Sequence, residues 1–181
     1  MKKAFFVMVI MTSVLAWAAA QQEREAAELS FMFTRQSGHA TNQFAVWIEN
    51  AQGQHVKTLY VTRWTANGGW KRRDASIPVW VKKSNLPEMP KTQIDAVSSA
   101  TPRTGTLSCK WDGKDSGGAF VPDGNYVLFI EGTLRWENSV LYRAPILLGK
   151  GAAAVETSVE YKGGSAAERS MIGDVKVRTL R

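Results

Sequence analysis

The sequence predicts an all-β protein, an antiparallel β-sandwich of short strands interrupted by one long, partly helical insertion. Three observations carry this. Apolar residues alternate with a period of two, turn-forming Asn, Asp, Gly and Pro residues recur at short intervals, and no repeating helical pattern separates the strands.

The first segment is set apart from that fold. Lys2 and Lys3 precede an apolar stretch from Ala4 to Leu15, and Ala18-Ala19-Ala20 supplies small residues before Gln21. This order of charge, apolar run and small residues is that of a secretory signal peptide over residues 1–20, cut near Ala20. The run is shorter than the roughly 20 apolar residues of a spanning helix. A periplasmic protein with no stable membrane insertion after cleavage is therefore expected. The only cysteine, Cys109, lies far from the cleavage region, so lipid anchoring there is not expected.

Residues 21–181 are enough for one domain with a real core. In LSFMFTR, Leu29, Phe31 and Phe33 share one face, while Ser30, Met32 and Thr34 take the other. QFAVWIE (43–49) is the next strand. NAQGQ supplies turn chemistry through Asn50 and Gly53, and HVKTLYV returns as the second arm of a hairpin. Further strands are TLSCKW (106–111), NYVLFIEG (125–132), LYRAPILLG (141–149), AVETSVEY (154–161) and DVKVRTL (174–180). Cys109 falls within TLSCKW, where it reads as a small buried hydrophobe. WDGKDSGGAFVPDGNY has Gly at Gly113, Gly117, Gly118 and Gly124, with Pro122-Asp123 before the last. It predicts turns flanking a strand pair, a hairpin at a sandwich edge.

Residues 62–105 depart from the rhythm. Some forty residues with little alternation form an excursion too long for an ordinary connection. Within it, Ser76 followed by IPVWVKKS predicts a short capped helix, with Pro78 in its first turn and lysines at its end. The same insertion gathers Trp64, Trp70, Trp80, the run Lys71-Arg72-Arg73, and DAVSSATP (95–102).

The formal net charge is +7, of which Lys2 and Lys3 leave with the leader. Export argues against nucleic acid as the partner of a basic surface, and leaves an anionic partner, a cofactor phosphate or a membrane surface.

Two resemblances follow from these residues. Gly53, Val56, Thr58 and Leu59, followed by Trp111, Asp112, Gly113, Asp115, Gly118, Val121, Pro122, Gly124 and Tyr126, resemble the immunoglobulin-like module of flagellar hook-capping proteins. That resemblance implies an immunoglobulin-like sandwich and, because the module is a reusable scaffold, little about function. FAVWIENAQGQHVKTL, the tryptophan-rich insertion, DAVSSATPRTG and WDGKDSGGAFVPDGNY together resemble the DUF2271 family of predicted periplasmic proteins. This second resemblance implies association with extracytosolic flavin and iron-reduction systems and with PepSY-type membrane reductases.

DAVSSATP carries two readings. In the first, Asp95, Ser98 and Thr101 are turn and cap residues that satisfy loop backbone groups. In the second, the stretch is similar to the acceptor motif of covalent FMN-binding proteins, with Asp95, Ser98, Ala100 and Thr101 in matching places, Ser99 where glycine is usual, and Pro102 following. That resemblance implies FMN joined through its phosphate to the Thr101 hydroxyl by a flavin transferase, with Asp95 as orienter. Trp64, Trp70 or Trp80 would stack on the flavin ring, and Lys71, Arg72 or Arg73 would offset phosphate charge.

Other constellations point away from autonomous catalysis. His39 and His55 lack the close spacing of a metal site. No GxSxG elbow surrounds Ser98 or Ser99. WDGKDSGG is not followed by the Lys-Ser/Thr helix start of a phosphate loop. Two function classes are expected: a periplasmic accessory of a membrane flavin-linked redox or metal-uptake system, or a structural or adhesive immunoglobulin-like module that binds a protein partner.

Overall fold

The structure is a computed structural model and describes residues 25–38 and 41–181. The segment read as a signal peptide and His39 lie outside the described residues.

Among the described residues ten strands form two sheets. They are β1 (Ala27–Phe33), β2 (Gln43–Asn50), β3 (His55–Thr62), β4 (Ser98–Ser99), β5 (Gly105–Trp111), β6 (Gly124–Thr133), β7 (Ser139–Leu148), β8 (Ala153–Val155), β9 (Ser158–Lys162) and β10 (Ile172–Thr179). The smaller sheet runs β5-β1-β10-β8 and the larger β4-β3-β2-β6-β7-β9. Neighbours are antiparallel except β3 and β4, whose short parallel pairing sets Val61 opposite Ser98 and Thr62 opposite Ser99.

The predicted alternation is realised on both inner faces. β1 buries Ala27, Leu29, Phe31 and Phe33, and β6 sends Tyr126, Leu128 and Ile130 into the same core. Phe44 joins the sheets there, its ring 5.7 Å from Phe31 and stacked 4.8 Å from Tyr60. Cys109 packs half-buried against this core, and burial pushes its thiol up to about 11, far from a reactive thiolate.

The β2–β3 hairpin closes as its turn residues require. The Asn50 carbonyl accepts the Gly53 N–H at 2.9 Å, its side-chain oxygen accepts the N–H groups of Gln52 and Gln54, and Gly53 takes φ +72°.

Two sequence expectations change. TLSCKW and NYVLFIEG do not pair with each other: β5 is the edge of the small sheet and β6 lies inside the large one, and the reversal between them is closed by a single antiparallel bridge of Lys114 to Phe120. The turns between them carry the chain across the sandwich, and Trp111 and Tyr126 meet edge to face at 5.2 Å in the core. AVETSVEY is likewise two strands, β8 pairing with β10 and β9 with β7, so the chain changes sheets at Glu156-Thr157. Glycine and proline permit a reversal but do not specify which sheet receives the next strand.

Residues 63–97 build a third layer on the outer face of the large sheet. Ala45, Trp47 and Val61 from β2 and β3 pack there with Ala66, Ile77, Trp80 and Leu86, and β2 is consequently buried on both sides. The predicted helix forms over Pro78–Lys83 with Pro78 in its first turn, but Ser76 does not cap it. The Ser76 hydroxyl instead pairs with Thr65 at 2.6 Å. The cap comes from β6: Glu131 accepts the backbone N–H groups of Val79 at 3.1 Å and Trp80 at 2.8 Å. Two residues along, the Thr133 hydroxyl accepts the Ile77 N–H at 3.0 Å and donates to the Ala75 carbonyl. Between these anchors Ile77 is fully buried at φ +44°, a conformation β-branched residues rarely adopt and one held here by the surrounding bonds.

Candidate functional site

The insertion exposes one tryptophan and buries another. Trp80 is 0% exposed and donates its indole N–H to Thr58 at 3.0 Å, so it is a core residue with no face left for a flavin. Trp64 is 44% exposed. Trp70 is half-buried against the insertion core, and Lys71 lies 5.4 Å over its ring.

Trp64 sits where β3 enters a kinked helical turn, Thr65–Gly69, whose Asn67 and Gly68 leave helical geometry, Gly68 at φ +101°. A Cβ on Gly69 would lie 2.5 Å from the Trp64 ring, so the indole rests on the glycine backbone. Beside it opens a cleft of about 730 Å³ lined by Arg63, Trp64, Arg72, Lys91, Asp95 and Ser98, with Asn67, Gly68 and Gly69 completing the rim.

Asp95 and Lys91 belong to the helix Lys91–Val97 and pair at 2.6 Å across one turn. Exposed pairs of this kind contribute little stability. Asp95 therefore neutralises Lys91, while Arg63 and Arg72 have no carboxylate partner among the described residues. The cleft combines an accessible indole face with two uncompensated guanidinium groups, an arrangement suited to a planar ring and an anionic group.

The structure thus brings together Trp64, Arg72, Asp95 and Ser98 of the residues singled out by sequence. Trp70, Arg73, Ala100 and Thr101 do not line that cleft. Arg73 turns inward: its two terminal nitrogens are buried without a hydrogen-bond partner, and desolvation lowers its pKa against the opposing charge of Asp74.

DAVSSATP spans three kinds of backbone. Asp95 is helical, Ser98 and Ser99 form β4, and Thr101 lies half-buried in the link to β5. The Ala100 carbonyl accepts the Tyr60 hydroxyl at 2.9 Å, which fixes this link on β3. Among the described residues, Asp95 and Ser98 accept no loop backbone N–H, so the capping reading of those two residues is not realised, and the Thr101 hydroxyl has no hydrogen-bond partner. Three extended residues span roughly 10 Å, which bounds the separation of Thr101 from Ser98 at the cleft edge.

Sequence reasoning missed Arg63 and Lys91. The signals were present, Arg63 beside Trp64 and Lys91 four residues before Asp95, but only the packed insertion makes neighbours of the two segments. His55 is half-buried, its Nε2 2.9 Å from the Thr58 hydroxyl. Burial pushes it down to about 4 against the opposing charge of Glu49. Among the described residues no three His, Cys, Asp or Glu side chains converge as a metal set, and no helix is long and apolar enough to cross a membrane.

The family model of DUF2271, described as predicted periplasmic protein, matches residues 26–166. No curated protein and no solved structure matches the chain.

Proposed function

Because the chain belongs to the DUF2271 family of predicted periplasmic proteins, we propose that it is a periplasmic binding module serving a membrane flavin-linked redox or metal-uptake system, and that it carries FMN at Thr101. The cleft beside Trp64 is the observation that supports this reading. It offers an exposed indole face, and Arg63 and Arg72 offset the charge of a phosphate or of a reduced flavin ring. Thr101, on a link held by Tyr60, has a hydroxyl without a hydrogen-bond partner among the described residues and follows Ser98, at the cleft edge, by three residues.

In this reading the protein's residues bind and orient, and the bound flavin supplies the electron transfer. A separate flavin transferase makes the phosphoester, and a PepSY-type membrane reductase is the redox partner. The polypeptide itself is not an autonomous enzyme.

The test is co-expression with a flavin transferase, followed by peptide mass analysis and flavin spectroscopy. One FMN mass is expected on the Thr101 peptide, none in Thr101→Ala, and a smaller loss in Ser98→Ala. Trp64→Ala should keep the added mass while the flavin loses the fluorescence quenching that a stacked indole provides. A colourless protein with an unmodified Thr101 peptide beside an active transferase overturns the carrier reading.

A further inference from the structure

The two ends of the sandwich differ in charge. At one end lie the described residues between β1 and β2, the link from β4 to β5, the β6–β7 turn and the segment between β9 and β10. Hydrogen bonds lace these segments together. The Arg35 N–H donates to the Thr104 hydroxyl at 3.0 Å, the Thr41 hydroxyl donates to the Leu134 carbonyl, and the Asn138 amide donates to Glu168 at 3.3 Å. The four segments therefore form one continuous surface.

That surface is basic. Arg35, Arg103, Arg135 and Lys162 are exposed, and none has a carboxylate partner among the described residues. A further cation, Arg169, is engaged over the Tyr161 ring at 4.8 Å. Two carboxylates belong to the same segments, and one of them, Glu168, accepts the Ser165 N–H at 2.9 Å and the Asn138 amide. Glu137 is left to face the four free cations. The connections 112–123 and 149–152 at the opposite end set Asp112, Asp115 and Asp123 against Lys114 and Lys150. Positive charge on the connections is thus gathered at one end.

A second observation is independent of charge. Trp136 stands in the β6–β7 turn of this surface and is 61% exposed. Its φ is +51°, a left-handed conformation that glycine and asparagine adopt readily and tryptophan rarely. The ring belongs to neither core cluster, so packing does not account for an aromatic side chain here. An indole projecting beside Arg135 has the chemistry of a membrane–water interface. Its ring suits the headgroup layer, its N–H keeps a polar partner there, and neighbouring guanidinium groups meet lipid phosphates.

We propose that this end of the sandwich docks reversibly on an anionic bilayer, with Trp136 in the headgroup layer and Arg35, Arg103, Arg135 and Lys162 against lipid phosphates. Two features select a lipid surface over a protein partner. The cations come from separate segments and none lines the cleft beside Trp64, a spread that suits a laterally mobile field of phosphates. The large apolar group projects from a turn, where it enters a fluid layer without needing a complementary pocket. β3 delivers Arg63 and Trp64 to the same end, so docking sets the basic cleft near the bilayer. The proposal does not rest on the flavin reading, and flavin-free protein is used to test it.

The experiment is flotation of the mature protein with vesicles of phosphatidylglycerol and phosphatidylcholine, with pure phosphatidylcholine vesicles as the control. Binding to the anionic vesicles is expected, weakening by about 10-fold or more between about 0.05 and 0.5 M salt as the charges are screened. Brominated lipid should quench part of the tryptophan emission, and that quenching should vanish in Trp136→Asn. Asparagine accepts the left-handed turn, so this variant should keep or raise the thermal midpoint while losing about 10-fold in vesicle affinity. Arg35→Gln/Arg103→Gln/Arg135→Gln should weaken binding by about 20-fold or more. Lys114→Gln/Lys150→Gln/Lys176→Gln removes the same charge elsewhere and should weaken it by less than about 3-fold. Absence of binding to anionic vesicles would leave this surface to an acidic protein partner and overturns the proposal. Equal losses in the two triple variants, or full affinity in a folded Trp136→Asn variant, also overturn it.

Discussion

The carboxylate of Glu131, on an inner strand of the large sheet, accepts the backbone N–H of Trp80 at 2.8 Å and so caps a helix contributed by a segment fifty residues earlier. This bond, with that of Thr133 to Ile77, ties the insertion to the sandwich. Its strength depends on the charge of a side chain that the same packing has taken out of water.

Burial raises Glu131 from the ordinary 4.5 to about 7, outweighing the Trp80 and Val79 N–H groups that favour its charged form. The native state therefore binds a proton that the unfolded chain has released. This contribution is fully present below pH 4.5 and is lost as pH rises through 7, to the extent of about 3 kcal/mol. Urea unfolding of Glu131→Gln should show this loss with rising pH removed. An unchanged difference from wild type across pH 4 to 8 would contradict it.

His55 has the opposite sign. Its depression from 6.5 to about 4 means that its contribution is present above pH 6.5 and is lost as pH falls toward 4. In wild type the two groups oppose each other between pH 4.5 and 6.5, so stability should be nearly flat there. His55→Gln should convert that plateau into a decline with rising pH, and Glu131→Gln into a rise. Parallel unfolding curves for the two variants would refute the assignment.

Gly69→Ala should lower stability by about 1–3 kcal/mol, because the added methyl has no room beside the Trp64 ring and backbone. The displaced indole should also shift its fluorescence. Gly68→Ala meets no atom within 4 Å and is strained only through its φ of +101°. Thermal melts with emission spectra distinguish the two, and wild-type emission from Gly69→Ala would remove the argument that this glycine positions Trp64.

Thr133→Val should cost about 1–3 kcal/mol by leaving the buried Ile77 N–H without its acceptor. Trp80→Ala should cost about 3–5 kcal/mol through the cavity it leaves. In both variants hydrogen exchange should quicken in residues 63–97 before it does in β1 or β10. Uniform acceleration through the whole chain would show that the third layer does not open by itself.

The sequence alone established most of the strands and the faces they present, β4 and the break between β8 and β9 excepted. Leu29, Phe31 and Phe33 on β1, and Tyr126, Leu128 and Ile130 on β6, occupy the core because a two-residue period survives any partner. The Asn50 and Gly53 turn was legible because its geometry is local, and the bounds of the insertion because alternation stops after β3 and resumes at β5. What a face would meet was decided by tertiary structure. Asp112 to Asp123 reads as a chain of reversals whether the next strand pairs beside β5 or crosses to the other sheet. Trp64 and Trp80 are the same residue type in the same insertion, yet one lies open over Gly69 and the other is sealed against Thr58. The basic cleft joins the end of β3 to a helix some thirty residues later, and the cap of Pro78–Lys83 comes from a strand beyond both. Local propensity and periodicity reach only a few residues along the chain. Burial, capping and charge at these sites depend on segments that become neighbours only when the third layer packs.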